Sequence, residues 1–179
     1  RQMCIRDSNM LNNANVLIKK NPDEASQLLF KLEDLLRYQI SDSSKDRIEL
    51  SSDIRFLNDF LNLEKIRRDK FEYILSKEGD INAVSLPPLL FIPFVENAIK
   101  HNPDSENISY VHLSFKVGKN ALVFQCTNSI PARTPVEKKI GGLGLKNIKR
   151  RLELLYPDKH SLEVEENESS YKVTLHLTL

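Results

Sequence analysis

Apolar residues in the first third of the chain recur every three or four positions. Ala25, Leu28, Leu29, Leu32, Leu35, Leu36 and Ile40 fall on one stripe, which predicts a helix starting near Asn21 and Pro22. The polar run 41–44 breaks it. Ile54, Leu57, Phe60 and Leu61 then mark a second amphipathic helix that ends around 64–68. Two such helices joined by a short polar link form a hairpin. A hairpin alone leaves one stripe unburied, and pairing with a second copy into a four-helix bundle would cover it. The alternative is that both stripes pack on the C-terminal half.

From residue 71 the period changes to two. Residues 71–76 read as a strand. Val111, Leu113, Phe115 and Val117 alternate with polar residues, as do Leu122, Phe124 and Cys126, and Gly118, Lys119 and Asn120 between them predict a hairpin turn. Strands are also expected over 161–165 and 171–179, where Tyr171, Val173, Leu175, Leu177 and Leu179 share a face. Between these lie two helices, one opened by Pro87 and Pro88 and running to about Asn102, the other over 143–155. A polar loop covers 129–142. The expected fold class is α+β: a helical hairpin followed by an α/β sandwich with a mixed sheet and helices on one side.

The 179 residues, 40% hydrophobic and 28% charged, suit an ordinary soluble domain with a helical appendage. The longest apolar run, 86–95, is cut by Pro87, Pro88 and Pro93, so no bilayer-spanning segment is expected. A net charge of +1 gives no field that would favour nucleic acid. Locally, Arg133, Lys138, Lys139, Lys146, Lys149, Arg150 and Arg151 face only Glu137. This cluster suits a polyphosphate, or is simply a solvated helix face. The cysteines, Cys4 and Cys126, suggest neither a disulfide framework nor a zinc site, and Cys126 reads as a reduced core residue.

Two motifs carry chemistry. In the run 87–102, Asn97, Lys100 and His101 lie three to four residues apart on one helical face. A carboxamide oxygen suits Mg²⁺, which keeps most of its waters, and a lysine one turn later can meet a phosphate as a point charge. The alternative is a helix end with ordinary polar residues. The second motif is Gly141-Gly142-Leu143-Gly144-Leu145, leading into a helix. Glycines let a phosphate approach the backbone, and a helix start offers free N–H groups. Many glycine turns serve only backbone geometry. No βαβ unit precedes this one and no Lys-Ser or Lys-Thr follows the glycines, which argues against Rossmann and P-loop sites.

Taken together, the two motifs resemble the asparagine box and second glycine box of the histidine-kinase ATPase fold (GHKL/HATPase), shared with gyrase, MutL repair proteins and a heat-shock chaperone. The strings 94–101 and 142–157, with Leu35-Leu-Arg-Tyr-Gln39 and Phe60-Leu-Asn-Leu-Glu-Lys-Ile-Arg67 upstream, resemble LytS-type sensor histidine kinases over residues 9–179. The resemblance implies a helical dimerisation and phosphoacceptor-type region over 9–70 and an ATP-binding domain over 71–179. It implies ATP and Mg²⁺ as cofactors. Asn97 would hold the metal, and Lys100 and His101 would meet phosphates. Gly142, Leu143, Gly144 and Leu145 would form the phosphate turn, and 129–140 the lid. Asn128 would stand where relatives carry an adenine-reading Asp; its alternative role is a strand-end turn. Hydrolytic relatives place a water-activating Glu one turn before the asparagine. Here that position is Pro93, which fits phosphoryl transfer better than hydrolysis.

The implied activity is that of a protein histidine kinase: phosphoryl transfer from ATP to a histidine and then to a response-regulator aspartate. The implied setting is a homodimer formed through the helical region, with a soluble cytoplasmic core and a parent anchored at the bacterial inner membrane. The family's acceptor histidine should fall at Ile5 and its preceding proline at Cys4. Neither is present, so this sequence has no acceptor at the usual place. Residues 1–8 have no amphipathic pattern and read as a non-native scar joined to a truncated gene. The other reading is a nucleotide-binding pseudokinase that only dimerises.

Overall fold

The computed structural model describes residues 22–38, 40, 44–102, 107–131 and 143–179. The expectations for residues 1–8, Cys4, Ile5, Gly141 and Gly142, and for the loop beyond residue 131, lie outside the described residues.

Helix α1 spans Pro22–Arg37, with its proline in the first turn where no amide bond is lost. Helix α2 spans Leu50–Arg67. A two-residue strand β1 (Ile48–Glu49) precedes α2 and pairs antiparallel with β3 (Ser85–Leu86). The Leu50 N–H adds a bond to the Val84 carbonyl at 2.9 Å. The link between the two hairpin helices is thus stitched to the C-terminal half, a feature no periodicity foretells.

The main sheet contains β2 (Phe71–Glu78), β4 (Ser109–Val117), β5 (Ala121–Ser129), β6 (His160–Glu166) and β7 (Ser170–Thr178). Its order is β2-β4-β5-β7-β6. The β2–β4 pair is parallel and the other pairs are antiparallel, giving the expected mixed sheet. The turn over 118–120 closes as expected, through the Gly118 N–H and Ala121 carbonyl at 2.8 Å. Gly79, after β2, has φ 87°, and a side-chain carbon there would sit 2.1 Å from the Val117 carbonyl oxygen, so only glycine fits.

Period-two alternation puts Val111, Leu113, Phe115, Leu122, Phe124, Cys126, Val173, Leu175 and Leu177 on one buried face. Phe91 and Phe94 pack on it, with Phe91 edge-on to Phe115 at 5.1 Å and tilted to Phe124 at 4.7 Å. They belong to helix α3 (Ile92–His101) and the residue before it. Helix α4 (Leu143–Leu155) adds Ile148 and Leu152. His112 and His176 lie exposed on the opposite face.

One expectation needs correction, and one left open is narrowed. The helix opened by Pro87 and Pro88 begins only at Ile92, with Pro93 in its first turn. Leu89 has φ 56°, a left-handed conformation that interrupts any helix through residues 87–91. The hairpin is also less independent than its stripes suggest. Helix α2 is buried on more than one side, by Leu50, Ile54, Phe56, Leu57, Phe60, Leu61 and Leu63. These residues join one continuous core with Leu32 and Leu35 of α1 and the buried face of the sheet. Leu29, Phe30, Leu36 and Ile40 stay exposed.

Candidate functional site

The two chemical motifs meet across α3 and α4. Helix α3 buries Ile92, Phe94, Val95 and Ala98, so Asn97 comes to its margin, half-buried, while Lys100 and His101 lie toward its exposed end. Helix α4 buries Ile148 and Leu152 against the core and leaves Gly144 exposed near its start. A side-chain carbon on Gly144 would lie 3.8 Å from Asn97 Oδ1. The amide oxygen of the first motif therefore faces the glycine of the second. Leu143 opens α4 and Leu145 is half-buried in its first turn. The first-turn N–H groups of α4 have no helical partners of their own.

Lys100 and His101 occupy the last turn of α3, where positive charge is favoured by the helix dipole. Partial desolvation, and then the Lys100 charge, push His101 below the ordinary imidazole value. The cationic end of this pair is Lys100.

Asn128 is 2% exposed and sits on the buried face of β5, opposite Val111 and Tyr171. Its amide nitrogen donates to the Ser129 carbonyl at 2.9 Å. It occupies the end of the sheet, two residues past Cys126, whose Sγ lies 4.0 Å from the Phe94 carbonyl of α3. Burial pushes the Cys126 thiol up to about 12, which makes it the unreactive core residue the alternation indicates.

The basic run divides. Lys146, Lys149 and Arg150 are exposed. Arg151 points inward and donates to the carbonyls of Leu89 at 2.6 Å and Pro88 at 2.7 Å. Among the described residues no cluster of three His, Cys, Asp or Glu side chains could hold a metal. Asn97 would act as a lone protein ligand, a donor set that fits a Mg²⁺ keeping its waters and phosphate oxygens.

Sequence reasoning misses the pins of α3. Asn102, fully buried, accepts from Arg68 Nη1 at 3.0 Å and donates to the Tyr110 carbonyl at 3.1 Å. Arg68 Nη2 also donates to Ser109 Oγ at 2.6 Å. This knot ties the end of α3 to β4 and to the α2–β2 junction. Its only sequence signal is a polar residue closing an apolar helix. A cavity of about 420 Å³ lined by Arg47, Tyr156 and Lys159 lies at the other end of α4, away from Gly144.

Several known proteins are similar to this chain. The family model for histidine kinase matches residues 8–71. Over 94 residues the chain is 36% identical to the sensor histidine kinase YpdA of Escherichia coli (strain K12), covering 52% of this chain and 16% of that protein. It is 26% identical over 175 residues to the sensor histidine kinase/phosphatase LytS of Staphylococcus aureus (strain Mu50), covering 90% of this chain and 30% of LytS. The chain thus spans less than a third of the length of these relatives. Among solved structures, the catalytic domain of histidine kinase ThkA superposes with TM-score 0.56 at 18% identity, over 74% of this chain and 95% of that one. ThkA in complex with response regulator protein TrrA gives 0.53 at 14% identity, over 99% and 60%.

Proposed function

We propose that the chain is part of a LytS-type sensor histidine kinase, as the match of residues 8–71 and the likeness to LytS support, and that residues 71–179 bind Mg-ATP between α3 and α4 for transfer of its terminal phosphoryl group to a histidine. The single observation that carries the reading is Asn97 Oδ1 facing Gly144 across the two helices. Bound Mg²⁺ would neutralise the phosphate charge that develops during transfer. Asn97 would hold that ion by its carboxamide oxygen. Gly142, Leu143, Gly144 and Leu145 would offer backbone N–H groups to the phosphates at the positive end of α4. Lys100 would add a positive point charge, and His101 a ring N–H donor. Asn128, whose nitrogen is committed to Ser129, would turn its oxygen to an exocyclic amino group of the base. Residues 129–140 would cover the nucleotide as a lid.

Pro93 has no side chain that can take a proton from water. The residues therefore position a nucleotide and leave water unactivated, which favours transfer over hydrolysis. The hairpin over 9–70 would serve as the dimerisation and acceptor region. A response-regulator aspartate would receive the phosphoryl group in turn. A parent protein would anchor this core at the cytoplasmic face of the inner membrane. No described helix is long and apolar enough to cross a membrane.

Titration calorimetry tests the site. Mg-ATP should bind the wild-type chain, and Asn97→Ala should weaken binding at least ~10-fold while leaving the thermal midpoint unchanged, since the group removed is half-buried. In the same series, Cys4→Pro with Ile5→His should gain acid-labile phosphate from γ-labelled ATP, and lose it again when Asn97→Ala is added. Equal affinity in wild type and Asn97→Ala would place any nucleotide elsewhere. Absence of binding by the folded wild type would leave a module that only dimerises.

A further inference from the structure

Asp53 on α2 is fully buried. Carboxylates are rarely so placed without a complete set of partners. Oδ1 accepts the Tyr38 hydroxyl, from the end of the first hairpin helix, at 2.6 Å. Among the described residues Oδ2 has no hydrogen-bond partner. Burial pushes this carboxyl above the ordinary carboxylate value, and the Tyr38 hydroxyl and the nearby N–H groups of Leu89 and Leu90 work against that, the latter short of a hydrogen bond to Oδ2. Arg151 of α4 lies close enough that its charge and that of Asp53 each favour the other's ionised form.

Residues 88–90 sit at the centre of these contacts. Arg151 grips the Pro88 and Leu89 carbonyls from one side, and Asp53 faces the Leu89 and Leu90 amides from the other. Leu89 is held in the left-handed region at φ 56°, which a leucine does not adopt without external restraint. Three residues later α3 begins, and it carries Asn97. Arg151 lies two turns, roughly 10 Å, beyond Gly144 on α4. The same guanidinium therefore fixes the entry to one nucleotide-facing helix from the body of the other.

We propose that Asp53 and Arg151 are positioning residues that set the spacing of α3 and α4, and so tie nucleotide affinity to the seating of the helical hairpin. This rests on the Mg-ATP reading of the Asn97–Gly144 site. Burial makes any charge at residue 53 costly, and an isosteric amide there would keep an oxygen for the Tyr38 bond and the packing; what it would remove is the attraction to Arg151. A buried carboxylate with an unpartnered oxygen is poor glue, and its use is in specifying an arrangement. When α2 shifts, Arg151 loses its countercharge and residues 88–90 lose the restraint on their left-handed turn. The two sides of the nucleotide site then separate.

Calorimetric Mg-ATP titration and thermal unfolding of wild type, Asp53→Asn, Arg151→Gln, the double variant and Tyr38→Phe test this. Asp53→Asn should melt at or above the wild-type midpoint yet bind Mg-ATP about five-fold or more weakly. Arg151→Gln should weaken binding at least as much. The double variant should lose less than the product of the two single losses, because both act on residues 88–90. Tyr38→Phe, which removes one hydroxyl remote from the site, should shift affinity in the same direction. Affinities within two-fold of wild type in folded variants would overturn the proposal and leave the nucleotide site intact. Collapse of the Asp53→Asn fold would also overturn it, by making the carboxylate structural. Failure of wild type itself to bind Mg-ATP would remove the site on which the proposal stands, and shows before any variant is made.

Discussion

Gly144 is the second residue of α4, where glycine costs up to roughly 1 kcal/mol relative to alanine. A side-chain carbon there would meet Asn97 Oδ1 at ordinary contact distance and clash with nothing among the described residues. Gly144→Ala should therefore raise stability by about 0.5–1 kcal/mol in denaturant unfolding and yet weaken Mg-ATP binding, because the added carbon narrows the approach to Asn97. A gain in stability with unchanged affinity would show that the glycine serves only the backbone. Asp53 gives a second residue-scale test, with its sign fixed by burial. Burial raises its pKa above the ordinary carboxylate value, so the folded state holds the proton more tightly than the unfolded chain. That contribution is complete at pH below the unfolded value and is lost as pH rises through the folded one. Asp53→Asn, which cannot ionise, should accordingly gain on wild type in stability as pH rises from about 4 to 7, and thermal midpoints across that range measure it. Asn97, Lys100 and His101 are candidates the sequence offers through residue type and helical spacing, and Asn128 is one that only the family resemblance offers. Asp53 and Arg151 are not legible in sequence. One is an acid in the first turn of a helix and the other a member of a basic run, and only burial separates them from their solvated neighbours.

Among the elements, α1 presents an unfinished surface. Phe30 is 68% exposed, with Leu29 and Leu36 on the same helix also exposed, and Ile40, just past its end, is 77% exposed. We propose that a second copy covers this face. Phe30→Asp with Ile40→Asp should convert a sedimenting dimer to monomer and leave calorimetric Mg-ATP binding unchanged, since neither side chain joins the core. A wild-type chain that sediments as a monomer at high micromolar concentration would contradict it. The strands are readable because alternation reports a half-buried sheet directly: Val111, Leu113, Phe115, Leu122, Phe124 and Cys126 are all buried. The start of α3 is not, because Pro87 and Pro88 look like first-turn prolines while Pro93 takes that role. Leu89 decides the matter by a backbone conformation that sequence does not encode. The β1–β3 ribbon is invisible because two-residue strands have no period to detect.

For the whole molecule, the structure joins what the change of period at residue 70 divides. The two helical stripes suggest a separate bundle, but α2 shares one core with the sheet, and the β1–β3 ribbon and the Arg68–Asn102 pair bind its two ends to the rest. On the proposed reading, the contacts at Asp53 and Arg151 are one route by which a hairpin seated this way reaches the nucleotide site. All of this turns on one Mg-nucleotide site between α3 and α4. Nitrogen-15 spectra of the chain with ATP and substoichiometric Mn²⁺ in place of Mg²⁺ locate that site, because the ion broadens amide signals according to distance. Broadening should centre on Asn97 and on residues 143–145, fading toward Arg47, Tyr156 and Lys159 at the far end of α4. Broadening centred on that far cavity, or none at any amide of the folded chain, would contradict it.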